Sequence, residues 1–318
     1  MSQKLEASEL YQLFMPGAKA KQRQVAETNT RFVHYTSAAV GKSIIEPEKV
    51  WMRQSRCMND FMEVQYGFDC LAEAFADESG KKVVSLLDQS LSGLGSEVLK
   101  NIDQWYPFMQ QNAYVTCISE HDSSEDEHGR LSMWRAYGGT HAVAIVVNNT
   151  PFLQESDALS AWTSPVAYLT PDMVKQEIMN LADRVSDVQH RLTATDRKSV
   201  ENFFFNTIMF AILCTKHPGF AEELEWRVVH CPDMHPSRHL VQSIEVVHGV
   251  PQPIFKLPLK EMPEEGFEGA SLPKFLDRII IGPSEYPSAM RRAFVTLLEA
   301  RGVPDAADKV VNSGIPLR

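Results

Sequence analysis

Carboxylates at Glu222, Glu223 and Glu225 run directly into Trp226-Arg227-Val228-Val229-His230. Acidic residues followed by an aromatic and an apolar pair read as a strand with carboxylates at its mouth. On a strand, residues two apart share a face, so Glu223 and Glu225 are expected side by side. Two carboxylates held together repel. Such a pair needs a cation, for which Arg227 is in reach, or a task in which one acid is poised or kept protonated. The plainer alternative is a strand mouth with solvated carboxylates.

Two further polar clusters fall at the edges of expected central strands: His34-Tyr35-Thr36-Ser37, and the turn holding Ser132, Trp134, Arg135 and Tyr137. A histidine at the inner end of a strand is more often a satisfied core residue than a catalyst. Trp134 alone reads as packing, worth about 2–3 kcal/mol when buried. His230, Cys231, His235 and His239 offer the ligand types zinc takes. Their spacing fits no common zinc pattern, and Pro232 and Pro236 mark an exposed connector. No metal is expected. Cys117 and His34 are the residue types of a cysteine–histidine hydrolase, yet Cys117 lies mid-strand in apolar company, where thiols are usually inert. Gly41-Lys42-Ser43 lacks the upstream glycine of a phosphate loop. The acidic run from Glu120 to Arg130 reads as a solvated surface loop, of a kind that also serves as a lid or a target-binding loop.

The elements that must position these groups follow from periodicity. Strands are expected at residues 31–36, 49–54, 113–119, 142–147, 240–248, 253–258 and 278–283, besides the one that follows the acidic pair. Thr36-Ser37 is a good N-cap for a short helix running to Ile45, and Asn59-Asp60 signals a turn. Helical spacing of Val64, Phe68, Leu71, Phe75, Val83, Leu87 and Leu91 fills residues 62–112. Two more helices are expected over 171–215, and a last one from Ala289 to Arg301, closed by Gly302. Residues 1–28 read as an N-terminal helical arm and 303–318 as a C-terminal tail. Between them lies one α+β domain, 29–302, with a mixed, mostly antiparallel sheet and helical insertions near 62–112 and 171–215. No glycine-rich fingerprint follows the first strand, which argues against a doubly wound dinucleotide fold.

Of the 318 residues, 44% are hydrophobic and 23% charged, ordinary values for a globular protein. No apolar run approaches the roughly 20 residues that span a bilayer, and the N-terminal residues lack the apolar core of a signal peptide. Five cysteines form no C-x-x-C pair. A reduced, cytoplasmic setting is expected. The net charge of −10 speaks against a non-specific grip on nucleic acid, because cations supply that grip. A small molecule or a protein is the expected partner, with no membrane role.

Taken in order, the motifs His34-Tyr35-Thr36-Ser37, Met58-Asn59-Asp60-Phe61, Val115-Thr116-Cys117-Ile118-Ser119, Ser132-Met133-Trp134-x-x-Tyr137, Glu223-x-Glu225-Trp226-Arg227 and Ile280-Ile281-Gly282-Pro283 resemble the bacterial domain-of-unknown-function family 2971 over roughly residues 30–300. Their layout is similar to that of the ADP-ribosyltransferase superfamily, an analogy of arrangement rather than of sequence. That resemblance implies an ADP-ribosyltransferase-like sheet and an enzyme that cleaves the nicotinamide–ribose bond of NAD, passing ADP-ribose to an acceptor or to water. A bacterial toxin or phage-defence effector, with a protein target or antitoxin as partner, would suit such activity. The resemblance implies Glu225 as the catalytic carboxylate and Glu223 as the group orienting the nucleophile. It implies His34 on a ribose hydroxyl, Tyr35 or Tyr137 against nicotinamide, and Thr36, Ser37 or Ser132 on ribose or diphosphate, with Trp134 in the same cluster. A fixed carboxylate would stabilise the oxocarbenium-like state of the cleavage. The alternative is a non-catalytic nucleotide- or protein-binding module using the same cleft. The catalytic reading requires His34 and Glu225 to meet around one sugar.

Overall fold

The computed structural model describes residues 3–58, 62–154, 156–247 and 249–316. Asn59, Asp60 and Phe61, where a turn and part of one motif were expected, lie outside the described residues. Among the described residues there are twelve strands: β1 Arg31–Ser37, β2 Lys49–Gln54, β3 Tyr114–His121, β4 Ala142–Val147, β5 Trp162–Pro165, β6 Ala167–Tyr168, β7 Thr215–Lys216, β8 Glu225–His230, β9 Val241–Val247, β10 Val250–Pro258, β11 Leu276–Ile281 and β12 Val310–Asn312. The chain divides into two compact units, one of Met1–Arg23, Ser55–Ala113 and Ser164–Ala221, the other of Gln24–Gln54, Tyr114–Thr163 and Glu222–Arg318.

The first unit is mostly helical, with the short strands β6 and β7 paired parallel. Helices Glu63–Ala76, Glu78–Ser90, Leu94–Asn112, Pro171–Asp187 and Arg197–Cys214 bury apolar side chains at three- and four-residue spacing, among them Val83, Leu87, Val98, Ile102, Ile178 and Leu181. Gly67 lets Glu63–Ala76 approach Arg197–Cys214 closely, since a Cβ there would stand 2.3 Å from the Ile212 carbonyl oxygen. The N-terminal residues expected as an arm are packed instead. Helix Ala7–Phe14 buries Leu10, Leu13 and Phe14, and Arg191 holds the Gln3 carbonyl and the Glu9 carboxylate.

The second unit carries the large sheet, in the order β12-β11-β4-β1-β3-β2-β10-β9, with β8 on β3 and β5 on β8. Along this order, and between β3 and β8, pairing is antiparallel except for β11 with β12. This is a mixed α+β fold with a mostly antiparallel sheet. Val310–Asn312, expected as tail, is an edge strand of that sheet, and Lys309 anchors it by donating to the Leu276 and Asp277 carbonyls at 3.0 Å.

Strand alternation gives the sheet two faces. Phe32, Ile118, Val143, Ile145, Val147, Trp226, Ile279 and Ile281 point to one side, packed with Ile44 and Ile45 of helix Ala38–Ile45 and with Phe294 and Leu298 of helix Pro287–Ala300. Each such side chain contributes about 1.5–3 kcal/mol on burial. Val33, Tyr35, Ala144, Val146 and Ile280 point to the other side, against Met133 and Trp134. We call these the Phe32 face and the Tyr35 face.

Candidate functional site

β3 shares one edge between two strands. Ser119–His121 pair with β1 and Tyr114–Val115 with β2, while β8 runs along the opposite edge. Residues 116–118 therefore face a gap in the sheet. His34 fills it. Its Nδ1 lies 2.9 Å from the Cys117 carbonyl oxygen. A carbonyl only accepts, so Nδ1 carries the proton and donates it to the Cys117 oxygen. His34 lies opposite Ile145, on the Phe32 face, and with Ile44, Ile118, Ile145 and Leu257 lines an apolar cavity of about 70 Å³. Burial there, partly offset by the Cys117 carbonyl, holds the imidazole pKa below its usual value. Thr36 shares this face and is buried opposite Val143. Ser37 caps helix Ala38–Ile45, its Oγ accepting from the Val40 amide at 3.3 Å.

Glu225 is on the other side. Val33 pairs with Ser119, and Ser119 with Glu225, so these three form one row on the Tyr35 face. His34, one residue past Val33, points the opposite way. The expected convergence of His34 and Glu225 around one sugar is therefore not formed. For the same reason Cys117 and His34 form no nucleophile–base pair, because Cys117 lies opposite Arg227 on the Tyr35 face.

Arg227 Nε donates to Glu225 Oε1 at 2.9 Å, and both side chains are only 7% exposed. Of the two ways to justify the acidic pair, Glu225 takes the cation. Glu223 does not share its strand. The strand begins at Glu225, Glu223 ends a 3₁₀ turn, and Leu224 between them has φ +46°. A left-handed leucine costs on the order of 1–2 kcal/mol. The kink sends Glu223 to Tyr137, whose hydroxyl donates to Glu223 Oε1 at 2.9 Å.

Tyr137 sits on a π-helical turn, Trp134–Gly138, that follows one short α-helical turn, Leu131–Met133. Such turns are rare and often occur at functional sites. Ser132 Oγ is buried with no hydrogen-bond partner among the described residues. Trp134 packs edge-on against Tyr35, with ring centroids 4.8 Å apart, and donates Nε1 to the His128 carbonyl at 2.8 Å. The Tyr35 hydroxyl accepts from the Arg130 amide at 2.7 Å, and burial pushes its pKa up to about 12. Tyr35 is thus a buried strut rather than a platform for a ring.

Arg130, which residue patterns did not single out, holds the mouth of the acidic strand. Its guanidinium donates to both Glu125 carboxylate oxygens and to the backbone carbonyls of Glu120, Glu222 and Glu223. The only sequence signal was an arginine ending an acidic run. That run is solvated only in part: Asp122, Ser123, Ser124, Glu127 and His128 are exposed, while Glu125 and Asp126 are tied to cations. Asp126 bridges Arg31 at 2.7 Å, Arg278 at 3.2 Å and His121 Nε2 at 2.9 Å, and Asp277 bridges Arg31 and Arg278. Burial alone would raise the Asp277 pKa, but Arg278 and Arg31 hold it below the usual carboxylate value.

The segment considered for zinc is committed elsewhere. His239 Nε2 meets Glu265 at 2.9 Å, His230 Nδ1 meets the Ser160 carbonyl at 2.8 Å, and burial pushes the Cys231 thiol up to about 12. Among the described residues no three His, Cys, Asp or Glu side chains group to hold a metal, and no helix is long and apolar enough to cross a membrane.

Fold and site together define an α+β protein whose sheet packs apolar side chains on both faces and keeps a buried ion pair on one. Residues 133–228 match a family described as a protein of unknown function (DUF2971). The match takes in Met133-Trp134-x-x-Tyr137 and Glu223-x-Glu225-Trp226-Arg227, two motifs that contribute side chains to the Tyr35 face, and begins after the His34 motif. No curated protein and no solved structure matches the chain.

Proposed function

We propose that the polar part of the Tyr35 face, around Tyr137, Glu223, Glu225 and Arg227, binds a nucleotide-type ligand of the NAD class, and that it does so without cleaving it. The observation that carries this reading is the Tyr137–Glu223 hydrogen bond of 2.9 Å beside the buried Glu225–Arg227 pair, held by a π-helical turn and a left-handed leucine. Strained backbone persists where surrounding structure enforces it, and it concentrates at functional sites. The donor and acceptor set suits a dinucleotide. Carboxylates accept from ribose hydroxyls, a guanidinium matches a diphosphate, and a tyrosine ring offers a face to a base.

Binding without cleavage is favoured because Glu225 is already neutralised by Arg227 and the imidazole assigned to the sugar lies across the sheet. The ADP-ribosyltransferase-like mechanism needs both groups in one cleft. The test is to titrate NAD into the protein calorimetrically and assay the same samples for free nicotinamide. Saturable heat with no nicotinamide is the expected result. Nicotinamide release that disappears in Glu225→Gln would replace the binding reading with the enzymatic one, and absence of any binding would remove both.

A further inference from the structure

The outer edge of the sheet at β9 has properties that a solvated edge strand normally avoids. Among the described residues no strand pairs with β9 on the side away from β10. Ile244 is 67% and Val246 64% exposed. Edge strands are usually guarded by lysine, proline or a bulge, and Val241-Gln242-Ser243-Ile244-Glu245-Val246-Val247 contains none of these.

The register shows which backbone groups stand open. Val247 lies opposite Val250, and the closing pair of a two-residue hairpin exchanges both of its hydrogen bonds. Alternation then directs Ser243 and Glu245 to β10, and leaves the N–H and C=O groups of Gln242, Ile244 and Val246 facing outward. Two prolines confirm the phase. Pro251 and Pro253 lie opposite Val246 and Ile244, where no amide toward β9 is required. The three open residues are spaced evenly about Ile244. Charge does not oppose pairing either, because the one acidic side chain of the strand, Glu245, is matched by Lys256 at 2.6 Å. Two copies can therefore meet here despite the net charge of −10 on each chain.

We propose that β9 is a dimerisation edge, on which a second copy of this chain pairs antiparallel, β9 to β9, about a two-fold axis at Ile244. Ile244 then faces its own counterpart, and Gln242 faces Val246 of the other copy. Three such pairs would form about six backbone hydrogen bonds, and the arrangement closes on itself as a two-fold contact must.

Light scattering on the full chain over a dilution series tests this. The wild-type protein should approach twice the 35.8 kDa chain mass. Ile244→Lys, which puts two ammonium groups face to face at an exposed position, should return it to the single-chain mass with an unchanged far-ultraviolet circular dichroism spectrum. Register is tested separately by cysteine substitution. Cα atoms of a hydrogen-bonded antiparallel pair are about 5.5 Å apart, within disulfide reach. Ile244→Cys should crosslink to itself under mild oxidation, and Val246→Cys should not. A wild-type protein that stays at single-chain mass throughout, including one that captures an unrelated strand instead, would overturn the proposal. So would an Ile244→Lys protein that remains a dimer, or equal crosslinking at the two positions.

Discussion

The two faces of the large sheet are built from the same strands and solve different problems. On the Phe32 face His34 turns into the gap in the sheet and serves a backbone oxygen, among aliphatic side chains. The Tyr35 face keeps a buried ion pair, a tyrosine–glutamate hydrogen bond and a strained leucine. Apolar packing on the first stabilises without directional demands. Polar groups on the second must be matched partner by partner, and each carries a desolvation cost. A protein retains such costs where the groups do something, which is why the site is assigned to the Tyr35 face.

The largest expected effects separate the faces by their coupling rather than by their size. Phe32→Ala, removing a fully buried ring that packs edge-on against Phe152 and Trp226, should cost about 3–5 kcal/mol in urea unfolding. Arg227→Leu should cost a similar amount, about 3–5 kcal/mol, by leaving Glu225 buried and charged. The Arg227→Leu/Glu225→Leu double variant should recover much of that loss, whereas no second change rescues Phe32→Ala. A double variant no more stable than Arg227→Leu would show that the ion pair does not act as a unit.

Next in size is His34. His34→Leu removes the imidazole donor to the Cys117 carbonyl and should cost roughly 1–3 kcal/mol, with His34→Gln recovering part because it restores an N–H. Equal losses in both would contradict the gap-filling role. Acid titration sharpens the same point. Burial lowers the folded-state pKa of His34, His121 and His230, so below about pH 6.5 the unfolded chain takes up protons the folded one does not. The contribution of these histidines should be constant above that pH and fall as pH drops through the window between the unfolded and the lowered folded values. His34→Gln should flatten part of the slope. The smallest stability effect is expected for Tyr137→Phe, about 0.5–1.5 kcal/mol for one hydrogen bond.

The strands flanking the site were legible because alternation and β-branched runs are local signals. β1, β2 and β4 fall where Arg31-Phe32-Val33-His34-Tyr35, Val50-Trp51-Met52 and Ala142–Val147 place them. Facing was not legible. Knowing that His34 and Glu225 each lie on a strand does not say whether the registers through Ser119 align them, and here one residue of offset puts them on opposite sides. Glu223 and Glu225 were expected on one strand face because a left-handed leucine carries no sequence mark. The acidic run at 120–130 read as solvated because its cations, Arg31 and Arg278, come from distant parts of the chain. The short strand β12 was missed because three residues give no periodicity.

The most direct test of the assignment is NAD titration of the wild type beside three variants. Glu225→Gln and Tyr137→Phe should each weaken binding by about tenfold or more, the scale of losing a hydrogen bond with charged character, while His34→Gln binds as the wild type does. Undiminished affinity in Glu225→Gln together with loss in His34→Gln would place the site on the Phe32 face and contradict the account.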